Sequence, residues 1–244
     1  MPSSSRPAPI FLLAGHHGPS ERESEAMHRR ILSSAGVETP SIAYIGAASG
    51  DNRGFFAHIA SYLESFGAGS VTLAPLVGKS VRLDRTRAML ESANIVFVSG
   101  GDVEEGMDVL NEREMIPFLH ELHASGKPFV GMSAGSIMLA HQWVRWDDPD
   151  DESSANAFPC IGLAPILCDT HGEDEDWEEL RALLELSPSG TVGYGIPSGA
   201  ALCVQPDGAV ESLASATHCF QKKGNDVIRI ADLPESVKRK TQVH

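Results

Sequence analysis

Positive charge is scarce in this chain. Lysine and arginine number 19 against 33 aspartates and glutamates, a formal net charge of −14 with histidine neutral. Such a surface repels phosphate backbones and anionic headgroups, which argues against nucleic acid and membrane as partners. Cysteine is scarce too. Cys160, Cys168, Cys203 and Cys219 form no C-x-x-C pair, so neither a zinc knuckle nor a redox motif is indicated. No apolar run approaches the length of a transmembrane span. Residues 1–7 form a polar tail, and the apolar run at 9–15 is too short and wrongly flanked for a signal peptide. The expected location is the cytoplasm. Two nucleotide-binding patterns are also missing. Gly78-Lys79-Ser80 looks like the end of a P-loop, but Leu73 stands where its first glycine belongs. Gly46 to Gly50 lacks the spacing of a dinucleotide turn.

What is present is a chain of 244 residues, 42% hydrophobic, enough for one large α/β domain or two small ones. Without a linker or an internal repeat, one domain over residues 9–232 is the simpler expectation, with a disordered tail at 1–8 and another tail at 233–244. Apolar runs at 10–14, 41–45, 71–73, 95–98 and 129–132 read as strands. Helical segments are expected at 20–34, 54–66, 84–92 and 103–125, the last broken near Pro117. Strands alternating with helices imply right-handed crossovers and a mostly parallel sheet, and their unbroken apolar character implies a sheet covered on both faces. The pattern changes after Ala140. Residues 143–158 read as polar and irregular, 173–186 as an acidic amphipathic helix, and 191–230 as short antiparallel additions to the same sheet.

The densest chemical signal is Gly131-Met132-Ser133-Ala134-Gly135, which follows one apolar run and opens another. Strand, G-x-S-x-G and helix make a nucleophile elbow. The turn is tight, so small residues must flank a strained serine whose hydroxyl leaves the sheet. The N–H of Ala134 is then free to donate to an oxyanion. Gly100-Gly101 ends the preceding strand, one crossover earlier, where a bare backbone can turn a second N–H toward the same place. A serine nucleophile also needs a base. Of ten histidines, His28, His58, His120, His123 and His141 fall on predicted helices. His171 lies in a loop after an apolar run and before a helix, at a strand end on the presumed active face. His16 and His17 also follow a strand, but no third metal ligand is suggested by spacing, and they read as a loop near the pocket rim.

Four stretches taken together resemble the family of dipeptidase E (aspartyl dipeptidase) and cyanophycinase, serine peptidases on a glutamine-amidotransferase-like fold. They are Val98-Ser99-Gly100-Gly101-Asp102, Gly131-Met132-Ser133-Ala134-Gly135-Ser136, Cys168-Asp169-Thr170-His171 and Gly195-Ile196-Pro197-Ser198-Gly199. The resemblance runs from the first strand to Phe220. It implies a three-layer α/β/α fold of the class I glutamine-amidotransferase type, with a mostly parallel sheet and extra antiparallel strands near the C-terminus. It implies Ser133 as nucleophile, His171 as base, and Gly101 with Ala134 as oxyanion donors. Its orienting acid, counted without a gap from the elbow, falls on Asp148, with Asp147 beside it. Ser198 is a further alternative, standing where the family often has a glutamate. Gly100, Asp102, Ser198 and Arg181 would contact the substrate.

The family's arginines at the start of the helix after the histidine are absent. Residues 173–179 carry six carboxylates there, and Arg181 is the one base of the segment. The expected activity is therefore hydrolysis of dipeptides or short peptides through a Ser-His-acid triad and an acyl-enzyme, without cofactor or metal, and without the aspartyl preference. The rivals are an esterase or amidase on the same triad, and a binding or regulatory member that has lost catalysis. A homodimer is compatible with this reading.

Overall fold

The computed structural model describes residues 7–15, 21–148 and 150–236. The expected strands appear as β1 (Ile10–Leu13), β2 (Ser41–Ile45), β3 (Ser70–Leu73), β4 (Ile95–Val98) and β5 (Phe129–Met132). They pair in parallel in the order β1-β5-β4-β2-β3. Between them run α1 (Glu21–Ser33), α2 (Arg53–Ser65), α3 (Leu83–Ser92), α4 (Val103–Glu112) and α5 (Ile116–Ala124). Successive residues of a strand face opposite sides, so a run such as Ile10-Phe11-Leu12-Leu13 needs cover on both. Phe11, Leu13, Phe97 and Val130 pack with Met27 and Ile31 of α1 and Ile59 and Leu63 of α2. Ile10, Leu12, Val96 and Phe129 pack with Leu90 of α3, Met107 and Leu110 of α4, and Leu119 of α5. The result is the expected three-layer α/β/α arrangement. Each such side chain taken fully out of water contributes about 1.5–3 kcal/mol.

The helical region 103–125 does break, but at residues 113–115, where Glu114 is left-handed at φ 51°. Pro117 lies in the first turn of α5. Its missing N–H costs nothing there, so it starts a helix instead of ending one.

After β5 come α6 (Ala134–Leu139), β6 (Gln142–Trp146), β7 (Ala155–Pro159), β8 (Leu167–Thr170), α7 (Glu178–Glu185), β9 (Val192–Ile196), β10 (Ala201–Val204), β11 (Val210–Leu213), β12 (Thr217–Lys223) and β13 (Asp226–Leu233). Three expectations are corrected here. The segment 143–158 is a regular antiparallel hairpin of β6 and β7, not irregular chain. It forms because Val144 is fully buried against Leu180 and Leu183 of α7, a contact invisible in local periodicity. The strands of 191–230 do not all join one sheet. β10 and β11 extend the large sheet antiparallel beyond β1. β13, β12, β9 and β8 form a second, four-stranded sheet in which β8 and β9 are parallel. The acidic helix is also shorter than expected. Glu173–Glu175 is a single 3-10 turn, Asp176 and Trp177 are both left-handed, and the α-helix begins at Glu178. Trp177 packs over Gly195 of the second sheet, where a Cβ would lie 2.6 Å from its ring. That seat fixes the break.

The expected tails fall mostly outside the described residues, as do His16, His17 and the capping Ser20. The chain is still paired at 235–236, where Glu235 bridges to Ser212 and Ser236 N–H donates to Ser212 O at 2.9 Å. Among the described residues, no helix is long and apolar enough to cross a membrane.

Candidate active site

Ser133 sits between β5 and α6 at φ 53°, ψ −125°, a backbone conformation that costs about 1–3 kcal/mol for a residue with a side chain. The neighbours hold it there. Ser133 N–H donates to Leu13 O at 2.8 Å, and the Ser136 hydroxyl donates to the same carbonyl at 2.8 Å. A Cβ on Gly135 would lie 2.1 Å from Val98 O, and one on Gly131 would lie 2.6 Å from Gly135 O. The motif's glycines are thus required by the approach of β4 and of the turn itself. Ala134 is the first residue of α6, so its N–H has no acceptor within the helix.

His171 follows β8 on the second sheet. Its φ is 46°, and its N–H donates to Ile196 O at 3.0 Å, which continues the ladder of β8 with β9. β8 packs on α6, the helix that follows the serine. This brings the two residues together: Ser133 Oγ and His171 Nε2 are 2.8 Å apart. Gly100 closes one side, a Cβ there lying 3.1 Å from Ser133 Cβ. Gly101 has φ 143°, and a Cβ on it would lie 1.9 Å from Ala48 O. The loop after β2 therefore presses against this glycine, and Ala48 O accepts from Asp102 N–H at 2.8 Å. Ser133, His171, Gly100, Gly101 and Ser198 share a cavity of about 330 Å³ with Ala14, Gly15, Phe55, Met132 and Gly199. Among its described lining residues there is no lysine, arginine or carboxylate.

Other expected residues lie elsewhere. Asp102 caps α4, accepting from Glu105 N–H at 2.8 Å. Arg181 pairs with Asp176 at 2.8 Å and lines a separate cleft of about 480 Å³ between α7 and the hairpin. Asp148 is exposed in the hairpin loop, where its Oδ1 accepts from Asp150 N–H at 3.1 Å. Asp147 is bonded to Asn156 at 3.0 Å and lies 3.6 Å from Arg145. Ser198 donates its N–H to Glu173 Oε1 at 2.5 Å, so a carboxylate stands at the loop where the serine replaces an acid.

The site also holds groups the sequence reading passed over. Phe55, on α2, gave no signal beyond being apolar on an amphipathic helix. Asp169, two residues before His171, is 7% exposed and accepts from Thr170 N–H at 2.6 Å. Burial, then the carboxylates of Glu179, Glu175 and Glu173, push its carboxyl up to about 7. Glu179 is half-buried and accepts from the Trp143 indole N–H at 2.6 Å. Cys168 is a buried thiol and Cys160 a half-buried one, the latter pushed up to about 12, and neither is a thiolate nucleophile at neutral pH.

The sequence pattern of Peptidase family S51 matches residues 10–212. The chain belongs to that family. Among its S51 relatives are Peptidase E of Pasteurella multocida, 26% identical over 51% of this chain and 56% of that protein, and Peptidase E of Salmonella gallinarum, 27% identical over 59% and 64%. The chain thus spans less than two thirds of the length of these S51 relatives. The fold is shared with a crystal structure of a peptidase from an acI-B1 Actinobacterium, at TM-score 0.72 and 14% identity over 95% of this chain and 98% of that one. A Peptidase E candidate from Listeria monocytogenes EGD-e superposes at TM-score 0.59, with 16% identity over 84% and 98%.

Proposed function

We propose that this S51 member is a serine peptidase that hydrolyses dipeptides or short peptides. The observation that carries the reading is the 2.8 Å contact of Ser133 Oγ with His171 Nε2 at a strained elbow. In this reading Ser133 attacks the scissile carbonyl while His171 takes its proton. The N–H groups of Gly101 and Ala134 receive the developing oxyanion, a role worth about 10²–10³-fold per donor. His171 returns the proton to the leaving amine, and water, activated by the same imidazole, releases the acyl group. The small apolar cavity supports a short substrate. Its want of a described cation, and the Glu173 carboxylate fixed at Ser198, support a neutral or basic side chain at the acyl position over an aspartyl one.

The test is a dipeptide panel on the wild type, Ser133→Ala, His171→Ala and the double variant. Each single variant is expected to lose about 10³-fold or more in kcat, and the double little more, because the two side chains act as one unit. Near-wild-type turnover by a folded S133A protein would remove the serine mechanism.

A further inference from the structure

We infer that Trp177 is the positioning residue of His171, a ring that clamps the histidine's backbone from two sides. Its catalytic meaning rests on the serine-peptidase reading. Trp177 is 3% exposed, although every other residue from Glu173 to Glu178 is exposed. Along the chain it reaches the residue that follows the histidine. Its N–H donates to Gly172 O at 2.9 Å, and a Cβ on Gly172 would lie 3.1 Å from its ring. Across the sheet it reaches the neighbour of the histidine's ladder partner. His171 N–H donates to Ile196 O at 3.0 Å, and Gly195, one residue earlier, is the floor under the ring, where a Cβ would lie 2.6 Å away. His218, opposite Gly195 on β12, meets the indole at 64° with centroids 5.7 Å apart. The ring belongs to the same buried cluster as Leu180 and Leu183 of α7 and Phe220 of β12.

The histidine depends on such a clamp. Among the described residues its imidazole makes one hydrogen bond, the one with Ser133. The ring is therefore aimed by its backbone. That backbone is left-handed at φ 46°, and Asp176 and Trp177 at the other end of the loop are left-handed too. Such conformations persist only where the surroundings over-determine them. The loop 172–177 is otherwise short, polar and exposed, with Gly172 and Trp177 as its buried members. One indole seated on two glycines thus ties both ends of the loop to β9. A misplacement of about 1 Å at a reacting group can cost about 10²-fold in rate, so the seat of this ring bears on catalysis through His171 without touching the substrate.

Gly195 supplies a probe that keeps Trp177 in the chain. Its backbone is not left-handed, so alanine suits the strand, and the three atoms nearest to the added methyl all belong to the indole. Gly195→Ala therefore evicts the ring and disturbs little else. Wild type, G195A, Trp177→Ala, Trp177→Phe and the G195A/W177A double variant are compared as full chains, each below its melting midpoint. G195A and W177A are each expected to lose about 10- to 100-fold in kcat at little change in KM. The double variant should lose no more than W177A, because the methyl then enters space the ring has left. W177F keeps a ring over Gly195 and should recover most of the loss. A ring that served stability alone would lower the melting midpoint and leave kcat, so a folded W177A with wild-type kcat would overturn the inference. Losses that multiply in the double variant would overturn it too. The second readout is the NMR signal of the His171 imidazole, identified by its loss in His171→Asn. Ser133→Ala should shift that signal in the wild-type background, where the hydroxyl is 2.8 Å away, and leave it unmoved in W177A. An equal shift in both backgrounds would overturn the clamp. A wild type that hydrolyses nothing, with this difference still present, would end the peptidase reading and leave the clamp standing.

Discussion

The proposed nucleophile and the proposed base are built in opposite ways. Ser133 belongs to the large sheet, where steric contact with backbone dictates every position. Gly131, Gly135 and Gly101 have no room for a Cβ, and Leu13 O holds both the turn and the helix behind it. His171 belongs to the second sheet, where its surroundings are polar and half-buried. Its loop is bounded by Asp169, Glu173 and Glu179, each held by a single short hydrogen bond. The first region is shaped by close backbone contact. The second is tuned by charge, and pH can change it. The proposed site is the meeting of a steric half and an electrostatic half.

With Ser133 and His171 themselves left in place, the largest effect should come from breaking the steric half. Gly101→Ala places a methyl 1.9 Å from Ala48 O and forces an L-residue to φ 143°. The loop must give way and the amide must turn. A loss of about 10²-fold or more in kcat is expected, with Ser133 and His171 intact. The check is kcat beside circular dichroism, and a folded variant with normal kcat would take Gly101 out of the oxyanion role.

The electrostatic half gives a smaller effect that depends on pH. Asp169 is pushed up to about 7 in the folded chain, whereas an unfolded aspartate titrates near about 3.9. Between these values the folded state binds the extra proton, so this group's stabilisation is full below about pH 4 and is lost as pH rises toward about 7. Asp169→Asn cannot ionise, and its amide oxygen can still accept from Thr170 N–H. Urea unfolding from pH 4 to 8 should show the wild type weakening relative to D169N across that window. Parallel curves would mean that the buried carboxyl titrates normally.

Smallest is the expected discrimination among substrates. Matched Asp-X, Asn-X, Ala-X and Arg-X dipeptides should give kcat/KM values for Asp-X no better than for the others, with any disadvantage shrinking as salt is added. A strong preference for Asp-X would require a cation at the cavity from outside its described lining.

This contrast also explains what the sequence disclosed. The five parallel strands were legible because burial on both faces leaves unbroken apolar runs such as Ile95-Val96-Phe97-Val98. The elbow was legible because steric closeness demands glycine, and glycine is visible in a sequence. Ser133 and His171 could each be singled out, the one by motif and the other by its place after an apolar run. The residue that would orient the histidine could not be. Counting residues from the elbow leads to Asp148, because counting carries no information about a hairpin that turns its acidic loop on itself. Glu179 looks like any member of a solvated acidic helix until Trp143 is seen to donate to it. The division of residues 191–230 between two sheets was hidden for the same reason. Strand pairing is decided by distant partners, and Gly195 is chosen for the ring of Trp177.

The position of β1 between β5 and β10 has a consequence for how the chain reaches this state. Residues 10–13 pair with residues 129–132 on one side and with residues 201–204 on the other. The carbonyl that anchors Ser133 is that of Leu13. β1 is thus not flanked on both sides until residues 201–204 are in place, and such distant pairings are slow to form. Until β1 pairs with β5, Ser133 lacks the Leu13 carbonyl that accepts its N–H, and a chain that already carries the serine does not yet hold its strained turn.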